Sequence, residues 1–431
     1  MAQPLTIGLL GYGVVGASVA KILTEHADEL AHRAGVPITL TRVAVRDRNR
    51  ARSFPLDDRM VTTDPAELVG DPSIDVVVEV MGGVEPARTL ILEALGNKKH
   101  VVTANKELLS TVGREVMHAA ESNGVDVLFE ASVAGGIPII RPIRESLAGD
   151  RVKRVLGIVN GTTNFILTRM SEMGESFDEA LQEAVRLGYA EADPSADISG
   201  QDAAAKVAIL ASLAFDARVV AGDVPTEGID KITRADIAAA HELGYEVKLL
   251  AVAEMSEGRI SARVHPAMIQ KTHPLAAVRD VYNAVFVQGE HSGDLMFLGK
   301  GAGGAPTAAA VVGDIVEIAR NRAQGASTPV YVGFHADASI RPEAETLVRY
   351  YIVLAVADQP GVLAQVAGTF ARQQVSIASV RQEGSGDEAT LMLITHIATE
   401  GQHRTTFDGL SALPEVKRVE ATIRVEGTEE G

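Results

Sequence analysis

Asp202 and Lys206 stand four residues apart at the end of AVRLGYAEADPSADISGQDAAAK, the run from Ala184 to Lys206. If Ser199 caps a helix entering AAAKVAILASL, the two side chains leave one face, and a carboxylate and an ammonium address one small volume. A solvated ion pair has the same spacing and is worth about 0.3–0.5 kcal/mol, so the pair alone does not make a site. The same run also sets a glycine turn at Gly188, then Glu191, then a proline-bounded acidic loop with Asp193, Pro194 and Asp197, then Gly200. Opposite charges gathered this way could hold a zwitterionic small molecule.

Two further segments carry chemistry. GYGVVG, with Gly11, Gly13 and Gly16, follows a strand-like run and opens a helix-like one. In that context the glycines allow a tight turn and close approach of the backbone to a pyrophosphate, with the amides of Val14 and Val15 beside the phosphates. The second strand ends Ala44, Val45, Arg46, Asp47, Arg48, with Arg50 and Arg52 beyond. A planar, permanently charged arginine suits a 2′-phosphate, which favours NADP(H) with Arg46 as the contact; Asp47 leaves NAD(H) open. In HVVTANKELLS a strand ends at Thr103 and a helix starts after Asn105, placing Thr103 and Lys106 at a strand's carboxyl end, where open sheets bind ligands.

These residues need a scaffold that brings them together. At 431 residues the chain suggests about three domains. The net charge of −17 argues against nucleic acid or an anionic membrane as the main partner. With no cysteine, disulfides, zinc thiolate sites and thiol nucleophiles are excluded. MAQPLTIGLLG lacks a basic region before its apolar run, and no stretch approaches the roughly 18 apolar residues of a spanning helix, so a cytoplasmic protein is expected. From Leu5 to Glu130, short apolar runs alternate with helical segments, as in a parallel sheet with crossover helices. Helices and longer strand-like runs follow, suiting a largely antiparallel sheet. Ala309–Arg322 reads as a helix returning to the first unit. From Arg349 the order strand, helix, strand, strand, helix, strand is the ferredoxin-like arrangement.

Ala184, Gly188, Asp193-Pro194, Asp197, Gly200, Asp202 and Lys206 match the signature run of homoserine dehydrogenases, and the resemblance extends over almost the whole chain. It implies an α/β protein with an N-terminal Rossmann-like doubly wound sheet, an α+β catalytic and dimerisation domain, and a C-terminal ferredoxin-like ACT domain. The expected boundaries are 1–137 for the nucleotide domain, completed by a helix near 305–322, 138–325 for the catalytic domain, 326–347 for a linker and 348–427 for the ACT domain. The implied reaction interconverts L-homoserine and L-aspartate 4-semialdehyde with NAD(P)(H), a step toward threonine, methionine and isoleucine. Lys206 is the expected proton donor and acceptor, a lysine near other cations being able to shift toward operating pH. Lys106, which in TANK resembles the family's lysine beside nicotinamide and substrate, could share the relay. Glu191 would bind the substrate ammonium. Asp202 either helps bind substrate or holds Lys206 in place, and Asp197 is a further candidate for the amino-acid end.

Asn160, Gly161, Thr162 and Thr163 stand at a strand-to-helix junction, where Gly161 and Thr162 could take the substrate carboxylate; an ordinary threonine cap explains the sequence equally well. By resemblance Gly188 and Gly303 would approach the cofactor, and EASVAGGIP would hold a sodium ion at Glu130, Val133, Gly135 and Ile137, although a plain hinge fits the same residues. DQPGVLAQVAGTF is similar to the ligand-binding turn of ACT domains. Asp358, Gly361, Val362 and Leu363 would then cradle an amino-acid carboxylate, with L-threonine the effector that the family implies. A homodimer or homotetramer without a fused kinase is expected. Two alternatives remain: another amino-acid semialdehyde oxidoreductase, and a non-catalytic sensor of nucleotide and amino acid that uses only the first and third units.

Overall fold

Valine-rich runs bounded by glycine and proline build the first sheet. It contains β1 (Leu5–Leu10), β2 (Ile38–Ala44), β3 (Val61–Thr62), β4 (Val76–Glu79), β5 (His100–Thr103) and β6 (Val127–Leu128). The computed structural model describes residues 3–326, 334, 336–384 and 386–427. The strands are parallel in the order β3-β2-β1-β4-β5-β6. Its helices are α1 (Val14–Glu25), α2 (Ala27–Ala34), α3 (Pro65–Gly70), α4 (Ala87–Gly96) and α5 (Lys106–Asn123). Because β2 and β4 flank β1 on opposite sides, the winding reverses there and opens a crevice beyond the carboxyl ends. Leu10, Glu79 and Thr103 lie in register at that rim.

The second unit starts with β7 (Val152–Ile158), α6 (Gly161–Met173), α7 (Phe177–Leu187), α8 (Ser195–Ile198), α9 (Gln201–Ala214) and α10 (Arg234–Glu242). It continues through β8 (Tyr245–Ser256), β9 (Arg259–Gln270), β10 (Tyr282–Gly289) and β11 (Gly293–Lys300). These strands pair antiparallel, and α6, α9 and α10 pack against β8. Buried alanines at 203, 204, 205, 208 and 211 let α9 lie close to its neighbours. The returning helix α11 (Gly304–Gln324) packs on α1 and α2. A Cβ on Gly304 would lie 2.7 Å from Ser18 Oγ, so this glycine permits the close seat.

The third unit runs β12 (Leu347–Val356), α12 (Val362–Arg372), β13 (Ile377–Glu383), β14 (Ala389–Thr395), β15 (Ala398–Thr399), α13 (Glu400–Ser411) and β16 (Val416–Glu426). Its strand order β16-β12-β14-β13 is the expected ferredoxin-like one. Its sheet is not a separate one, however. Arg424, Val425 and Glu426 of β16 pair parallel with Ala267, Met268 and Ile269 of β9, which joins both units in one ten-stranded sheet. Glu426 is buried beside Arg154 and Arg263, the latter 2.9 Å away. Burial alone would raise this carboxyl; Arg154 and Arg263 bring it down to about 2.

Of the connector expected over 326–347, residues 327–333 and 335 lie outside the described residues. The part that follows is bonded to β9: Ile260 N–H donates to Ser339 O at 2.8 Å and Arg341 N–H to Ile260 O at 2.7 Å.

Candidate active site

The site lies where α9 of the second unit meets the start of α5 at the rim of the first sheet. Ser199 does not cap α9. It ends the short helix α8 with helical dihedrals, and Gly200, at φ 84°, makes the left-handed turn into α9. The spacing argument survives because it depends only on α9: Asp202 and Lys206 share one face, with Lys206 Nζ 2.6 Å from Asp202 Oδ2. Asp202 Oδ1 lies 3.1 Å from Lys106 Nζ. One nearly buried carboxylate thus receives two ammonium groups, one from each unit.

Lys106 is the first residue of α5, and the residues before it fix its position. Asn105 caps the helix through its side-chain oxygen, which accepts from Leu108 N–H at 3.0 Å, and its Nδ2 donates to Gly83 O at 2.6 Å. Thr103 Oγ1 donates to Glu79 Oε2 at 2.6 Å and accepts from Asn105 N–H at 3.0 Å. The other oxygen of the buried Glu79 accepts from the amides of Met81 and Gly82. Sequence reasoning missed Glu79, although a carboxylate ending an otherwise apolar strand was its signal.

Across the crevice, Lys206 Nζ also donates to Val159 O at 2.7 Å. Asn160 Nδ2 donates to Asp202 Oδ2 at 2.9 Å and to Asp197 Oδ1 at 2.6 Å. Burial would raise the Asp202 carboxyl, but Lys206 and Lys106 outweigh it and hold the group far below the usual range. For Lys106, burial opposes the charge and Asp202 more than restores it, so its pKa lies above the ordinary lysine value. Such a cluster is hard to reconcile with an ornamental loop.

The remaining expected residues fall in different places. Glu191 is exposed in the turn after α7, and no ion pair or hydrogen bond of its side chain occurs among the described residues. Gly188, at φ 76°, ends α7 in the left-handed conformation and donates to Val185 O, which gives it a task within the chain. Thr162 is buried, and its hydroxyl donates to Tyr189 O at 2.8 Å. A Cβ on Gly161 would lie 2.9 Å from Val281 O, so this glycine serves close packing.

At the glycine turn, Gly11 has φ +99°, and a Cβ on Gly16 would lie 2.3 Å from Gly11 O, so the turn itself demands both glycines. A Cβ on Gly13 would meet nothing within 4 Å. The protein's own packing therefore does not require Gly13, and its bare backbone offers the approach that a pyrophosphate needs. Val14 is 73% exposed at the head of α1, and Gly303, with φ +111°, caps α11 beside it. Arg46 is exposed, whereas Arg48 donates to Val61 O and Arg52 to Arg48 O within their own loop. Arg52 also stacks over the Tyr12 ring, 5.8 Å from its centroid, and burial pushes the Tyr12 hydroxyl up to about 12. Tyr12 was a further missed residue, an aromatic ring set between two glycines of the turn.

In the hinge, Glu130 is buried and both its side-chain oxygens are engaged by the amides of Ile139, Ile140 and Arg141. Ala134 and Gly135 have positive φ, and no backbone hydrogen bond among the described loop residues ends on the carbonyls of Val133, Gly135 or Ile137. In the third unit, Asp358 and Gly361 are exposed, Leu363 is 41% exposed, and Val362 is buried with its amide 3.4 Å from Gln359 O. Among the described residues, no helix is long and apolar enough to cross a membrane.

Comparison with known proteins agrees with this geometry. The homoserine dehydrogenase family model matches residues 138–316, the model of that family's NAD-binding domain residues 11–130, and the ACT domain model residues 350–403. A homoserine dehydrogenase of Mycobacterium tuberculosis is 50% identical over 99% of this chain and 98% of its own length. The crystal structure of one from Thiobacillus denitrificans superposes with a TM-score of 0.93 at 41% identity, covering 98% of both chains. A hyperthermophilic archaeal homoserine dehydrogenase in complex with NADPH has a TM-score of 0.61 at 31% identity, covering 73% of this chain and 98% of that one. With a nucleotide-binding sheet, a charged site at its rim and a C-terminal ACT domain, the chain belongs to the homoserine dehydrogenases, a family of oxidoreductases.

Proposed function

We propose that this chain reduces L-aspartate 4-semialdehyde to L-homoserine, reversibly, with NADP(H) preferred over NAD(H), and that Lys206 supplies the proton. The observation that carries this is the Asp202 carboxylate shared by Lys206 and Lys106 at the rim of the nucleotide sheet. When bound, the dinucleotide supplies or accepts the hydride. The rest is the protein's part. An ammonium has three N–H groups; those of Lys206 reach Val159 O and Asp202, which leaves one for the aldehyde oxygen. Lys106 lies on the same carboxylate and would steady the developing alkoxide or pass on a proton. Glu191 and Asp197 would receive the substrate ammonium. Purified protein supplied with aspartate semialdehyde and either nucleotide tests this proposal by loss of reduced nicotinamide absorbance; no turnover with either, or faster turnover of another semialdehyde, would refute it.

Two substitutions test the binding roles. Glu191→Leu should raise the substrate KM by about tenfold or more, as expected when a charged partner is lost, with kcat less affected. A KM equal to that of the parent would remove Glu191 from the site. Arg46→Ala should raise the KM for NADPH by about tenfold and leave that for NADH nearly unchanged, since only NADPH carries the 2′-phosphate; equal changes would count against NADP preference. That preference is supported by the exposed guanidinium past β2 and by the archaeal relative's NADPH complex.

The finer expectations belong here too. The open carbonyls and left-handed turn at 133–137 support a sodium ion held by backbone oxygens of Glu130, Val133, Gly135 and Ile137, because hard cations take oxygen donors. The exposed turn at Asp358 and Gly361 supports an amino-acid effector, with L-threonine the end product that would close a feedback loop in amino-acid biosynthesis. β11 is an edge strand with Leu298 57% exposed, which supports assembly as a homodimer or homotetramer.

A further inference from the structure

The side chain of Asn160 reaches two carboxylates of the site. It is buried, it caps α6, and its oxygen accepts from Thr163 N–H at 2.9 Å and Thr163 Oγ1 at 3.0 Å. Because the cap requires the oxygen on that side, the amide has one orientation and its NH₂ must face the other way. There it meets two carboxylates, with one N–H for Asp197 Oδ1 and one for Asp202 Oδ2. The preceding peptide carbonyl, Val159 O, receives Lys206. Two consecutive residues therefore fix both members of the Asp202/Lys206 pair, one through a side chain and one through the backbone.

We propose that Asn160 is a positioning residue which divides the work between the two acids. Its NH₂ fork bridges Asp197 and Asp202 without adding charge, holding the two carboxylates at a fixed separation. It also turns Asp202 toward the lysines, so the unused N–H of Lys206 points in one direction, and it occupies one oxygen of Asp197 while leaving the other for the substrate ammonium. The proposal rests on the assigned reaction, which the parent enzyme tests separately. The charged groups around the fork are Asp197 on α8, Asp202 and Lys206 on α9, and Lys106 on α5.

Asn160→Ser keeps a good helix cap but removes the fork, and Asn160→Asp keeps both cap and shape but sets a third carboxylate against the other two. With the parent enzyme turning over aspartate semialdehyde, Asn160→Ser should lower kcat/KM for that substrate by about tenfold to a hundredfold, the range for losing hydrogen bonds to charged groups, through both kcat and KM. The dinucleotide KM should stay near the parent's, and the melting temperature, though lowered by the lost hydrogen bonds, should remain well above the assay temperature. Asn160→Asp should move both limbs of the pH–rate profile upward, since an added negative charge raises carboxyl and ammonium pKa values alike. Parent-like kcat/KM in Asn160→Ser, a loss confined to the melting temperature, or an unmoved profile in Asn160→Asp would each overturn the proposal. Absence of turnover in the parent would instead refute the assigned reaction.

Discussion

With Lys206 replaced by alanine, kcat is expected to fall by about 10²–10⁴-fold, the usual worth of a positioned proton donor, while the KM for the dinucleotide stays near that of the parent. The side chain projects from α9 in the second unit, and its partners are Val159 O and Asp202, both of that unit. Its loss should therefore leave nucleotide binding intact. Lys106 remains on the other oxygen of Asp202 at 3.1 Å, so residual activity should fall further when both lysines are replaced. Initial rates with each substrate varied in turn would decide the matter. If the nucleotide KM rises as steeply as kcat falls, Lys206 is a structural post rather than a proton donor.

Asp202→Asn should cost about a hundredfold in kcat, since it weakens charge-assisted bonds to two ammonium groups, and it should move the alkaline limb of the pH–rate profile to lower pH. The direction follows from Lys106. Burial disfavours its ammonium and Asp202 is the largest influence that offsets burial, with Glu107 and Asp197 adding less, so without the Asp202 carboxylate the proton leaves at lower pH. Stability should drop as well. Breaking a buried pair costs of order 3 kcal/mol, with a smaller share from Lys106, a third of whose side chain faces solvent. Asp202 titrates lower in the folded chain than in the unfolded one. Its stabilisation is therefore complete above the unfolded value of about 3.9 and is lost as pH falls through the folded one. Melting curves of parent and variant should differ at neutral pH and converge in acid. An alkaline limb that stays in place would remove Asp202 from the control of Lys106.

The nucleotide turn and the Asp202/Lys206 face were legible because both are local: three glycines at fixed spacing, and two charges one helical turn apart. What the sequence concealed was long-range or shared. Asn160 was read for its backbone loop, since nothing nearby indicates that its amide will reach Asp197 and Asp202, 37 and 42 positions later. Ser199 was a natural cap by type, yet the chain continues its helix through that residue and Gly200 takes the turn. Glu79 passed as a strand end because the partner of its second oxygen, Thr103, comes from the next strand, 24 positions on. The pairing of β16 with β9 joins residues more than 150 positions apart, and neither strand's pattern specifies its neighbour.

That last pairing means the C-terminal unit also serves as an edge guard. Strand β16 covers β9 at Ala267, Met268 and Ile269, where backbone donors and acceptors would otherwise stand at an open edge, and it supplies the Glu426 anion beside the buried Arg263. A shortened chain that ended before residue 347 would expose that stretch of edge and leave Arg263 with Glu254 as its one remaining carboxylate partner among the described residues. The C-terminal unit is therefore more than an appendage: it closes part of the edge of the second unit's sheet.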